Sequence, residues 1–263
     1  MIKHIPRRRF GQHFLTDQAV IADIVSAIRP QAGDAMVEIG PGLGALTLPL
    51  CAVLPHLDVV EIDRDIALRL QREYPPERVT VHTGDVLEFD FSALPQELRV
   101  VGNLPYNIST PLLFHLARYA ERIRDMHFML QKEVVERMVA HPGGGDYGRL
   151  SVMLQYRFDM ELLLEVAPDA FSPPPKVESA VVRMRPRPPA QLTAATEAGL
   201  AQVVRRAFAQ RRKTLRNSLA GLLANEDYAM LGIASGLRAE NLSVADFVAI
   251  ANYLSEKETL TPN

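Results

Sequence analysis

A single cysteine, Cys51, stands among 263 residues. One thiol cannot close an internal disulfide or hold a zinc ion, and on its apolar segment Cys51 reads as buried filler. The seven histidines are scattered without paired metal-ligand spacing, so no metal is expected. No apolar run approaches the roughly 20 residues that a bilayer span requires. The longest, at 45–54, is interrupted by Pro49, and a membrane span is not expected. The basic N-terminus lacks the apolar stretch and small-residue cleavage site of a secretory signal, which makes the cytoplasm the expected compartment. Neither an internal repeat nor a long low-complexity tract is present, although Gly143-Gly144-Gly145 reads as a mobile loop.

With 48% hydrophobic residues the chain can bury a full core, and its length suits a large domain with a small partner. The net charge of −2 conceals an uneven distribution: nine of the 29 basic residues lie between Arg183 and Arg216, against one acid, Glu197. A cationic zone on an otherwise anionic protein is what a local phosphate-binding surface requires. A solvated helix face reads the same way from charge alone.

From Ala35 onward, short apolar runs alternate with helix-like segments, the pattern of an α/β fold with helices flanking a parallel sheet. Seven strands are predicted, at 35–39, 58–62, 79–82, 99–102, 127–130, 162–166 and 180–184. Helices are predicted near 43–53, 64–72, 110–119, 132–140 and 149–156. Proline clusters at 173–175 and 186–189 bracket the last strand. Beyond them Val204, Phe208, Leu215, Leu219 and Leu222 recur at near-helical spacing with no strand-like alternation. The expected division is residues 1–188 as an α/β domain and 189–263 as a small all-helical one.

Val37-Glu38-Ile39-Gly40-Pro41-Gly42-Leu43-Gly44-Ala45 places a glycine-rich turn directly after the first predicted strand. Such turns let a nucleotide cofactor approach the backbone, and Gly40, Gly42 and Ala45 also satisfy the dinucleotide pattern. Glu61 closes the second strand, where a carboxylate can accept both ribose hydroxyls, whether of NAD or of S-adenosylmethionine. Asp85, past the third, is placed to accept from an adenine amine or to cap a turn.

Gly102-Asn103-Leu104-Pro105-Tyr106-Asn107 discriminates between these readings. An exocyclic adenine amine is a poor nucleophile because its lone pair is delocalised into the ring. The Asn103 side-chain oxygen and the Leu104 carbonyl, stiffened by Pro105, can accept the amine's two hydrogens and favour a pyramidal nitrogen, while Tyr106 stacks on the base.

At these residues the chain resembles the small-subunit ribosomal RNA adenine dimethyltransferases, within the rRNA adenine N6-methyltransferase group. The similarity runs from Phe10-Gly11-Gln12-His13-Phe14-Leu15 through the glycine turn and Asn103-Leu104-Pro105-Tyr106-Asn107-Ile108-Ser109-Thr110. It continues through Phe171-Ser172-Pro173-Pro174-Pro175-Lys176-Val177 and Gln210-Arg211-Arg212-Lys213-Thr214-Leu215-Arg216-Asn217-Ser218-Leu219, covering nearly the whole chain. The resemblance implies a Rossmann-like catalytic domain with a seven-stranded, mostly parallel sheet, and S-adenosylmethionine held by His13, Leu15, Gly40, Glu61, Asp85 and Asn103. It also implies transfer of four methyl groups to two adjacent adenosines in the 3′-terminal hairpin loop of 16S rRNA in the 30S subunit, with S-adenosylhomocysteine as the other product. His13 stands where many relatives have Asn.

A phenylalanine before a proline run is ordinarily core, but the resemblance assigns Phe171 to the far face of the target adenine, opposite Tyr106. A helix over 203–222 would carry Arg205, Arg212 and Arg216 on one face, and with Arg206, Arg211 and Lys213 would bind RNA phosphates. The basic arm of Lys3, Arg7, Arg8 and Arg9 either closes over the same RNA or is a frayed terminus. A monomer is expected. Two other enzymes, a large-subunit rRNA methylase and an NAD oxidoreductase, are the alternatives, together with an assembly factor whose methylation is secondary; the oxidoreductase gives Asn103-Leu104-Pro105-Tyr106 no task.

Overall fold

The computed structural model describes residues 13–210 and 212–260. Arg7, Arg8, Arg9 and Arg211, together with Lys3, lie outside the described residues. In chain order the elements are β1 (Phe14–Leu15), α1 (Gln18–Ile28), β2 (Met36–Ile39), α2 (Thr47–Val53), β3 (Leu57–Glu61), α3 (Arg64–Glu73), β4 (Val79–Thr83), β5 (Leu98–Asn103) and α4 (Ser109–Ala117). There follow β6 (Ile123–Gln131), α5 (Lys132–Val139), α6 (Arg149–Arg157), β7 (Phe158–Val166), β8 (Phe171–Ser172), β9 (Ser179–Pro186), α7 (Glu197–Ala207), α8 (Leu215–Ser218), α9 (Asn225–Leu231) and α10 (Val244–Leu260). None of the described helices is long and apolar enough to cross a membrane.

Two compact units result: residues up to Val135 with Met160–Pro186, and Glu136–Asp159 with residues from Arg187 onward. The expected break after 188 falls close to Pro186, but Glu136–Asp159 leaves the expected first domain for the second unit. Apolar burial explains the transfer. Tyr147, Val152 and Tyr156 share one buried cluster with Leu200, Val203 and Phe247, an association across some 50 residues that local patterning does not reveal.

The first unit is built on a sheet ordered β4-β3-β2-β5-β6-β9-β7. β2 pairs in parallel with both β3 and β5, the ladder continues in parallel to β4 and β6, and β9 runs antiparallel to β6. All seven predicted strands are present in this mostly parallel sheet. β2, β5, β6 and β9 are buried nearly throughout and read as near-continuous apolar runs, whereas β4 and β7 are partly exposed. From β2 the chain steps outward to β3 and β4 and then returns to β5 on the other side. Such a reversal leaves a crevice at the carboxyl ends of the two central strands.

Helix α1 was not among the predicted helices, although its signals are present. The Asp17 side chain accepts the Ala19 and Val20 amides at 2.8 and 3.1 Å, and Ile21, Ile24 and Ile28 form its buried stripe. The two-residue strands β1 and β8 pair antiparallel, with Phe14 opposite Ser172 and Leu15 opposite Phe171.

In the second unit the single helix expected over 203–222 is two pieces, α7 and α8. α7 starts at a Thr196 cap, whose hydroxyl accepts the Gly199 amide at 3.0 Å. Past it, the Leu215 and Arg216 amides donate to the Leu237 and Ser235 carbonyls at 2.7 and 3.0 Å, so these donors are taken by a neighbouring segment instead of continuing α7. Arg205, Arg206, Arg212, Lys213 and Arg216 are all exposed, but Arg206 reaches the Ala220 carbonyl and Arg216 the Ser235 hydroxyl. They do not form the continuous face of one helix.

Candidate active site

A cavity of about 310 Å³ opens at the carboxyl edge of the sheet, its wall including His13, Leu15, Gly40, Gly42, Glu61, Asp85 and Asn103. The size falls within the range of small-molecule sites. All the residues that the resemblance implied for the cofactor are therefore brought together. Each strand contributes at its end: Gly40 follows β2, Glu61 ends β3, Asp85 lies just beyond β4 and Asn103 ends β5.

The glycine turn is shaped by close approach. Gly42 has φ +55°, and a methyl group there would lie 3.2 Å from the Phe14 ring, so any side chain would be strained and would press on the cavity wall. Gly102 has a different reason: a methyl group there would meet the Ile39 carbonyl oxygen at 2.5 Å, forcing β5 away from β2 directly beneath the crevice. Helix α2 begins only at Thr47, later than predicted, and the Gly42 amide points at the Glu61 carboxylate, 3.4 Å away.

Glu61 is buried, and its other carboxylate oxygen accepts the Asp63 amide at 2.8 Å. Burial raises its pKa, against the opposing pull of these backbone bonds. Asp85 does cap a turn, one oxygen accepting the Leu87 amide at 2.9 Å, while it also lines the cavity. Sequence reasoning did not single out Glu38. This residue is 2% exposed and lines the cavity, and its carboxylate accepts the Thr47 hydroxyl at 2.6 Å. Burial pushes its pKa up to about 7, the Thr47 bond opposes that rise, and the charge of Glu61 adds to it.

The charged lining thus comprises three carboxylates, with no lysine or arginine among the described residues. A pyrophosphate would be repelled here. S-Adenosylmethionine, with a sulfonium and an ammonium against one carboxylate, carries net positive charge and fits.

Asn103 is oriented by its neighbour across the cavity. Its side-chain amide donates to the His13 carbonyl at 3.2 Å, which turns the amide oxygen away from that contact. No described donor reaches that oxygen or the Leu104 carbonyl, while the Leu104 amide donates to the Met129 carbonyl of β6 at 3.1 Å. Two acceptors therefore remain at a turn fixed to the sheet. Leu104 itself is buried, whereas Pro105 and Tyr106 are partly exposed at the cavity wall.

Phe171 is not brought to this cavity. It is 4% exposed in the apolar core, paired with Leu15 in the β1–β8 ladder. Its ladder partner Leu15 does line the cavity, so Phe171 packs behind that wall and is not itself part of the lining. The ring beside Tyr106 is His13, with centroids 6.1 Å apart and planes 24° from parallel. His13 Nδ1 lies 2.8 Å from the Pro173 carbonyl. Sequence reasoning also passed over Phe14, which lines the cavity, and the two serines that hold Tyr106, Ser109 and Ser179.

A mostly parallel sheet with β9 reversed beside β6, carrying an anionic crevice at its switch point, defines a Rossmann-like S-adenosylmethionine-dependent methyltransferase. A family model described as ribosomal RNA adenine dimethylase matches residues 3–256. The chain belongs to the ribosomal RNA adenine dimethylase family. It is similar to the ribosomal RNA small subunit methyltransferase A of Thiobacillus denitrificans, with 65% identity over 97% of this chain and 100% of that protein. The protein of the same name from Chromobacterium violaceum is 63% identical over 98% of each chain. Among solved structures, a dimethyladenosine transferase from Plasmodium falciparum shares the fold with a TM-score of 0.78 at 24% identity, covering 93% of this chain and 98% of that one. The 23S rRNA methyltransferase ErmE matches with a TM-score of 0.72 at 25% identity, over 92% of this chain and 99% of that one.

Proposed function

We propose that this enzyme transfers methyl groups from S-adenosylmethionine to N6 of two adjacent adenosines in the 3′-terminal hairpin loop of 16S rRNA within the small ribosomal subunit, four methyls in all. The observation that carries this reading is the pair of acceptors at Asn103 and Leu104, left available by the His13 and Met129 contacts on the neighbouring donors. Small-subunit relatives above 60% identity support the small subunit over the large one.

Glu61 accepts the ribose hydroxyls of the methyl donor and Asp85 its adenine amine, while the Gly40–Gly42 turn leaves room for its backbone approach. When bound, S-adenosylmethionine supplies an electrophilic methyl group, which is why no metal or covalent enzyme intermediate is needed. The Asn103 oxygen and the Leu104 carbonyl accept the hydrogens of the target amine, hold the nitrogen pyramidal and aim its lone pair into the cavity. Tyr106 stacks on the flipped base, with the His13 ring at its side. A hairpin loop lowers the cost of extracting that base. Arg205, Arg206, Arg212, Lys213 and Arg216 are the exposed cations proposed to bind RNA phosphates; Arg7, Arg8, Arg9 and Arg211 are proposed to join them. The enzyme acts as a monomer in the cytoplasm, and its binding to immature particles contributes to small-subunit biogenesis.

The test is mass spectrometry of rRNA after undermethylated small subunits and, separately, large subunits are incubated with protein and isotopically labelled S-adenosylmethionine. Label on two adjacent adenosines of the small-subunit rRNA is expected. Label confined to the large subunit would overturn the assignment.

A further inference from the structure

Tyr106 is fastened at both ends. Its carbonyl accepts the Ser109 hydroxyl at 3.0 Å, and its phenolic oxygen lies 2.8 Å from Ser179 Oγ. Ser179 is the first residue of β9, 1% exposed, and sits opposite Gln131 of β6. Two residues earlier on β6, Met129 pairs with Asn103. The same strand register therefore places the acceptor turn and the serine that grips the phenol. No other described group bonds the Ser179 hydroxyl. Burial raises the pKa of Tyr106, so the contact joins two neutral hydroxyls.

We propose that Ser179 is a positioning residue for methyl transfer: its hydroxyl holds the tip of the Tyr106 side chain in place, so that the ring stays where its face meets the extruded adenine. The inference rests on the reading of Tyr106 as the stacking wall. A tyrosine ring turns about two side-chain torsions, of which the outer has a broad preference. The phenolic oxygen lies on the axis of the outer torsion, so a tether there acts on the inner one, which swings the whole ring. Freed, the ring would meet the base at varied angles, and misplacement of this kind lowers the rate of the chemical step with little effect on the methyl donor.

Single-turnover methyl transfer to undermethylated small subunits, with S-adenosylmethionine affinity measured by calorimetry, tests this. Ser179→Ala is expected to slow transfer about fivefold, the scale of one neutral hydrogen bond, at unchanged donor affinity. Tyr106→Phe should slow it equally, and the double variant no further, because the two hydroxyls act as one unit. Ser179→Thr should restore the rate to within about twofold. Ser179→Cys, which keeps the volume with a weaker donor, is the second variant should alanine prevent folding, and is expected to be slowed as well. Wild-type rates in both Ser179→Ala and Ser179→Cys would overturn the proposal, as would a Ser179→Ala loss that persists undiminished in the Tyr106→Phe background. Tyr106→Ala separates the two levels. Wild-type transfer in that variant would remove Tyr106 from the stacking role itself, whereas slow Tyr106→Ala beside normal Ser179→Ala would overturn only the part assigned to Ser179.

Discussion

Replacing Glu38 by glutamine should stabilise the ligand-free protein, and only at higher pH. The Glu38 carboxyl is buried in β2, with a pKa pushed up to about 7 by that burial and by the charge of Glu61, against the Thr47 hydrogen bond. In an unfolded chain a glutamate titrates near 4.3. Between those two values the folded protein holds a proton that the unfolded chain has released, so stability falls as pH rises from about 4.5 to about 7 and the full cost persists above. A gap of about 2.5 units corresponds to about 3 kcal/mol. The glutamine side chain of the Glu38→Gln variant cannot ionise, yet keeps a carbonyl oxygen for the Thr47 hydroxyl. Urea unfolding of both proteins from pH 5 to 8.5 is the assay: the variant should gain about 2.5 kcal/mol relative to wild type across that interval, part of the cost being already present at pH 5. A difference that stays constant with pH would refute the reasoning. The carboxylate faces the cavity, so a bound cation offsets its burial. S-Adenosylmethionine should therefore raise the unfolding midpoint of wild type more than that of the variant.

Other outcomes can be stated briefly. Asn103→Ala should lower transfer roughly 10²-fold or more, as loss of a transition-state hydrogen-bond partner does, while leaving binding to small subunits intact; near-wild-type turnover in a filter assay would remove the assigned role. Arg212→Ala with Arg216→Ala should weaken RNA binding and reduce the log–log salt slope by about 2, without altering donor affinity in calorimetry. Arg99 is 4% exposed and donates to Asp125, Asp34 and the Ile28 and Arg29 carbonyls; Arg99→Met, which leaves Asp34 to Arg124 and Asp125 to His127, should cost about 3 kcal/mol in denaturant unfolding. Burial works against the Asp125 carboxylate, but the His127 ring, its Nδ1 3.5 Å away, and the hydrogen-bonded Arg99 guanidinium outweigh it and hold its pKa at about 2. Its stabilisation, about 2 kcal/mol, is thus present above pH 4 and lost as pH falls toward 2, which acid titration of unfolding followed by circular dichroism measures.

What the chain displays to a reader depends on the range over which its residues act. Parallel strands such as β5 are apolar along their own length, and glycines such as Gly42 announce a turn, so the sheet and its carboxyl-edge residues were recognisable in one dimension. The pairing of Phe171 with Leu15, 156 positions away, has no counterpart in any local pattern. The transfer of Glu136–Asp159 to the second unit and the break between α7 and α8 have the same origin: contacts with segments distant in sequence override a locally plausible pattern. Glu38, Ser109 and Ser179 carried no signal of their own, being ordinary residues within a strand or at the start of one or of a helix, whose significance lies in which side chain they face.

Residue 13 shows the same division at a single position. An asparagine in place of His13 would change the side chain at this position, yet the contact that orients Asn103 comes from the His13 main-chain carbonyl, which every residue type supplies. The β1–β8 ladder begins at the next residue, Phe14, and the His13 ring adds its own contact to the Pro173 carbonyl. What varies with identity is the ring beside Tyr106. On the proposed reading, a substitution here acts first on how the target base is flanked.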